Sequence, residues 1–133
     1  MDLVALRRAA AALAVCAVLA GAAPAGAGVA DVLEASADCV ERTCRFRVTV
    51  RHADQGFEHY ADRYEVVALD GRVLATRVLQ HPHVAEQPFT RDLDGVRVPP
   101  GIARVRVRAH DSVHGFGGRE ATVEIPDEEA GAH

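Results

Sequence analysis

The chain has 133 residues, of which the first 27 read as a removable leader; the roughly 105 that remain suit one hydrophobic core and leave no room for a separate catalytic domain. Fifteen basic residues stand against nineteen acidic ones, a formal charge of −4. Loss of Asp2, Arg7 and Arg8 with the leader leaves the mature chain more acidic still, so no basic field exists to hold nucleic acid or anionic lipid.

The leader has three parts. Residues 1–8 end in Arg7-Arg8, residues 9–20 form an unbroken apolar run, and small residues then lead to Ala25-Gly26-Ala27, the A-x-A pattern read by signal peptidase. The run falls short of the roughly twenty apolar residues a membrane span needs. The expected mature protein therefore starts near Gly28, carries no membrane span and is periplasmic or secreted. A rival reading makes Leu13-Ala14-Val15-Cys16 a lipobox with Cys16 as the lipid-bearing terminus. Val15 fits poorly just before such a cut, and the apolar run continues past it. With Cys16 removed, Cys39 and Cys44 form an even pair in an oxidising compartment, which predicts a disulfide that pins a turn.

Past the leader, apolar residues recur with period two, as in strands with one buried face. Seven such stretches cover residues 29–37, 45–51, 63–69, 72–79, 89–98, 103–109 and 120–125. In the second, Phe46, Val48 and Val50 alternate with Arg45, Arg47 and Arg51; in the sixth, Val105 and Val107 alternate with Arg104, Arg106 and Arg108. Asp70-Gly71 is a strong hairpin signal and Pro99-Pro100-Gly101 marks another reversal. The expected fold is all-β, a seven-stranded immunoglobulin-like or fibronectin-like sandwich over residues 28–126, followed by a disordered acidic tail, residues 127–133, that contains His133. The arginines of the sixth strand are expected to pair with Glu65, Glu120 and Glu124 on an outer face, not to bind a polyanion.

The other six histidines fall in three connections: His52 and His59 in HADQGFEHYAD, His81 and His83 in QHPHVAEQ, and His110 and His114 in HDSVHGFGG. If the strands run up and down in order, these are the second, fourth and sixth connections, all at one end of the sandwich, where such folds keep binding residues. Together with Asp54, Glu58, Glu86 and Asp111 they have the makeup of a divalent metal site, because neutral imidazole is the commonest metal ligand and carboxylates hold or orient it. His81-Pro82-His83 places two rings on the same side of an extended segment. Gly115, Gly117 and Gly118 let the last connection fold closely. The candidate ligands are His52, His59, His81, His83, Glu86, His110, Asp111 and His114. The same residues can instead pair with one another and with loop amides, holding the connections rigid without an ion. No catalytic residue is assigned: Ser112 lies between two histidines but in no acyl-transfer motif.

The strings HADQGFEHYADRYEVV, LDGRVLATRVLQHPHVAEQPFTR and VRVRAHDSVHGFGG resemble a family of small exported bacterial proteins, which implies export but no reaction. His59-Tyr60 entering a strand, and Val107-Arg108-Ala109 followed by His114-Gly115, are similar to the iron domain of desulfoferrodoxin and superoxide reductase. That resemblance implies an immunoglobulin-like sandwich with an open mononuclear iron at one end and ligand roles for His52, His59 and His114. Asp111 stands where that family has its iron-bound cysteine, and the step from His52 to His59 is one residue longer. Without the thiolate, superoxide reduction is not expected, whereas imidazoles with a carboxylate suit zinc, copper(II), nickel or ferrous iron. The mature chain lacks methionine and a free thiol, against a copper(I) carrier, so zinc or copper(II) is favoured, with iron retained. Two functions follow: a metal-binding module acting as carrier or redox accessory, or an interaction module whose loops meet a periplasmic protein partner around Phe57, Tyr60, Phe89 and Phe116.

Overall fold

A computed structural model describes residues 28–126; the leader, the Cys16 lipobox and the acidic tail with His133 lie outside it. The seven strands are β1 (Asp31–Val40), β2 (Thr43–Arg51), β3 (Ala61–Ala68), β4 (Val73–Val78), β5 (Phe89–Arg97), β6 (Arg104–Asp111) and β7 (Ala121–Glu124). They form a three-stranded sheet in the order β1-β2-β5 and a four-stranded sheet in the order β4-β3-β6-β7, every neighbouring pair antiparallel. No helix occurs among the described residues, so none is long and apolar enough to cross a membrane.

Period two decides what each sheet buries. On β2, Cys44, Phe46, Val48 and Val50 point inward, and on β6, Val105, Val107 and Ala109 do so from the facing sheet. Tyr64, Val66, Phe89, Val96 and Val98 complete the core between them. On the outer face the expected ion pairs are present: Arg104 with Glu124 at 3.1 Å, Arg106 with Glu120 at 3.7 Å and Arg108 with Glu65 at 2.8 Å.

β1 and β2 reach further than the alternation suggests. Cys39 and Cys44 are register partners and are disulfide-bonded. The hairpin between them turns on Glu41 and Arg42 with φ of 51° and 68°, the positive values a two-residue primed turn needs at both central positions. Neither residue favours that region by itself. Arg42 is held there from outside: its guanidinium donates to the carbonyls of Val98 (3.0 Å), Pro99 (2.9 Å) and Ile102 (2.5 Å). The Asp70-Gly71 turn forms as expected, with Gly71 at φ 95° and the Arg72 amide donating to Asp70 Oδ1 at 3.0 Å.

Candidate metal centre

The inward stripes of β2 and β6 do not stop at their last apolar residues. One step of two beyond Val50 comes His52, and one step beyond Ala109 comes Asp111, so the same alternation carries both side chains into the space between the sheets. His52 is 3% exposed and Asp111 fully buried. His52 directly follows β2 of one sheet and Asp111 ends β6 of the other, and they meet across the end of the sandwich, His52 Nε2 against Asp111 Oδ2. His59 joins from the β2–β3 connection, its Nε2 2.8 Å from the same Asp111 oxygen. Donor atoms of His52, His59 and Asp111 all lie within 4.8 Å of one another.

The surrounding groups fix each member. Each ring nitrogen of His52 faces a carboxylate, which only accepts: Nδ1 lies 2.5 Å from Asp54 Oδ1, and Nε2 meets Asp111 Oδ2. Asp54 is itself saturated, accepting from the amides of Ala61 (3.1 Å) and His83 (2.6 Å). His59 sits on a tight loop in which the Gln55 amide donates to the His59 carbonyl at 2.9 Å, and Gly56 supplies the φ of 106° the loop needs. Asp111 Oδ1 accepts from the amides of Val113 (2.6 Å) and His114 (2.7 Å), leaving Oδ2 to the two histidines. Burial works to raise the Asp111 carboxyl, but the amides of His114 and Val113, then the rings of His52 and His59, outweigh it and hold the group well below the usual carboxylate range. The Asp111 carboxylate thus faces two imidazole nitrogens, an arrangement that protons or a cation between them would satisfy.

The remaining candidates have different places. His114 stands at the rim, its ring centroid 5.0 Å from that of His59 and its Nδ1 3.4 Å from Asp111 Oδ1. His110 is in phase with the arginines of β6, so it faces outward, where Nδ1 lies 2.7 Å from Asp62 Oδ1 and the ring meets Phe116 edge to face. His83 is buried and stacked on Phe89 at 3.9 Å; its ring nitrogens have no hydrogen-bond partner, and Nδ1 is 4.0 Å from Asp54. Burial first, then the charges of Arg91 and His81, push its imidazole below the ordinary value. His81 is exposed at a ring distance of 4.8 Å from His83, and Glu86 pairs with Arg91 at 3.1 Å on the surface.

The sequence pattern includes His52, His59 and Asp111 among its eight candidates but understates the groups that support them. Asp54 reads from the sequence as one loop acid among four; its signal is the spacing His52-x-Asp54, which in extended chain puts both side chains on one side. Gln87 carries no such signal, yet Oε1 accepts from the His52 amide at 2.9 Å and Nε2 donates to the His83 carbonyl at 2.8 Å, tying the β4–β5 connection to the centre.

Fold and site together define a β-sandwich closed at one end by a buried histidine–carboxylate cluster. Over 106 residues, 80% of this chain, the sequence is 42% identical to a protein of Halomicrobium mukohataei named "Putative lipoprotein". The chain spans about half the length of that relative, 49% of which is matched. No family model matches the chain. No solved structure matches it either, so the similarity to the desulfoferrodoxin iron domain rests on the quoted residues alone.

Proposed function

We propose that the protein is an exported metal-binding module in which His52, His59 and Asp111 hold one divalent transition metal ion. The convergence of these three donors within 4.8 Å carries the reading. Asp54 behind His52 is the carboxylate–histidine arrangement that fixes the tautomer and raises the basicity of a metal-bound imidazole. Two imidazoles and a carboxylate suit zinc or copper(II) first and iron next. Both cysteines of the described chain are bonded to each other, which leaves no thiolate for a superoxide reductase-type centre. Three protein ligands leave coordination positions open, as in a site that exchanges its ion or works on it, and this favours a carrier or redox accessory over a purely structural ion. Export agrees with the leader, with the disulfide and with the name of the relative.

A second reading, an interaction module, draws support from Phe57, Val84 and Val113, which are 68%, 64% and 59% exposed and lie one in each of the three connections. Elemental analysis by mass spectrometry separates the two. Protein purified from its native compartment without tag or chelator is expected to carry close to one equivalent of a single transition metal. Protein that arrives without metal and takes up none from zinc, copper(II) or iron leaves the interaction module standing.

A further inference from the structure

The leader pattern predicts a cut that would create a chemical group the precursor lacks, and the fold places Gly28, the residue that would carry it, against His114 at the rim of the proposed centre. The A-x-A pattern Ala25-Gly26-Ala27 predicts a cut at the bond before Gly28. Gly28 lies against the ring of His114: a Cβ on it would come within 3.1 Å of Cε1, 3.5 Å of Nδ1 and 3.6 Å of Nε2. Its α-nitrogen is one bond, about 1.5 Å, from that Cα.

The approach is enforced by the β6–β7 connection. A Cβ on Gly118 would sit 2.0 Å from the Ala30 carbonyl oxygen, so only glycine lets the incoming chain pass there. The Arg119 amide donates to Asp31 Oδ1 at 2.7 Å and the Val32 amide to the Arg119 carbonyl at 2.7 Å, while Ala30 is buried beneath. The segment that begins at Gly28 is thus strapped to the connection that carries His114. His114 in turn contacts both Asp111 and His59.

We infer that the α-amino group of Gly28, freed by cleavage after Ala27, is a ligand of this centre together with the His114 ring. The inference rests on the metal centre proposed above. In the precursor the Gly28 nitrogen belongs to a peptide bond, where resonance withdraws its lone pair. After cleavage it is a primary amine whose lone pair is no longer withdrawn by resonance, a nitrogen donor of the kind zinc and copper(II) accept. The consequence is that high-affinity capture of the ion follows export: the precursor has the His52, His59 and Asp111 donors but lacks the amine.

The test compares zinc affinity in three forms of the exported chain: one beginning at Gly28, one extended to begin at Ala27, and one beginning at Gly28 with its terminal amine converted by transamination to the glyoxylyl aldehyde, which removes the amine nitrogen with little change in bulk. The first is expected to bind one equivalent, and the other two to bind at least about tenfold more weakly, the scale on which support of a metal site is lost. Equal affinity in all three forms overturns the amine ligand and leaves the centre intact, as does weakening confined to the extended form, which bulk explains. Failure of every form to bind counts against the centre itself. An intact mass showing a lipid-bearing start at Cys16 overturns the inference independently, because Gly28 would then keep its peptide bond.

Discussion

The two ends of the sandwich close one core by opposite means. At the far end the connections are short and backbone-driven: the Cys39–Cys44 disulfide, the Glu41-Arg42 turn under the Arg42 guanidinium, and the Asp70-Gly71 hairpin. An open concavity of about 440 Å³ lies there too, lined by Ala68, Leu69, Gly101 and Ile102 among others, with no histidine. At the near end the inward stripes run on into His52 and Asp111, and long connections bring Asp54, His59 and His114 around them. The first arrangement needs nothing but the chain. The second buries two carboxylates, Asp54 and Asp111, and two histidines, His52 and His83, in place of the apolar residues that often fill such positions at no loss of stability. That this cost falls at one end only is the ground on which we propose a binding role for that end.

The sharpest way to break this contrast is Asp111→Ala. It leaves the His52 and His59 rings and the amides of Val113 and His114 without their acceptor, and the metal-free protein is expected to lose about 3–5 kcal/mol in urea unfolding, along with zinc binding. Arg42→Ala strikes the far end, where a charged donor set is removed from three carbonyls. A loss of about 1.5–3 kcal/mol is expected, with zinc affinity unchanged in calorimetry. A fall in zinc affinity would show that the two ends are coupled.

Acid separates the ends by degrees. Because His83 is held below its ordinary value in the fold, the unfolded chain takes up the proton first, and stability of the metal-free protein falls as pH drops below about 6.5. His83→Phe, which keeps the stack on Phe89, is expected to flatten that part of a stability–pH curve. Asp111 is depressed, so its contribution is fully present above about pH 4 and is lost on further acidification; Asp111→Asn is expected to remove this lower limb. The smallest effect belongs to the outer face: Arg104→Ala breaks the exposed pair with Glu124 and is expected to cost less than about 1 kcal/mol in the same unfolding assay.

The alternation of apolar residues was enough to place all seven strands and the outer-face pairs, since each depends on which side a residue faces. It also grouped the histidine connections at one end. What it left unresolved is which side chains turn inward there. His110 and Asp111 are neighbours on β6 and must face opposite ways, but the choice depends on β6 continuing to Asp111 in register with Ala61 of β3. The Glu41-Arg42 turn was hidden for a similar reason: its positive φ angles are sustained by carbonyls more than fifty residues away. Long-range support of this kind, like the Gln87 brace on His52, leaves no mark in local sequence.

The central claim is that an ion lies between His52, His59 and Asp111, and anomalous diffraction from crystals of the zinc-loaded mature chain tests it most directly. The account predicts one strong zinc peak within bonding distance of His52 Nε2, His59 Nε2 and Asp111 Oδ2. A native-like cluster without a peak, or with zinc only at surface histidines such as His81, would contradict it and make the near end a hydrogen-bonded brace for its loops.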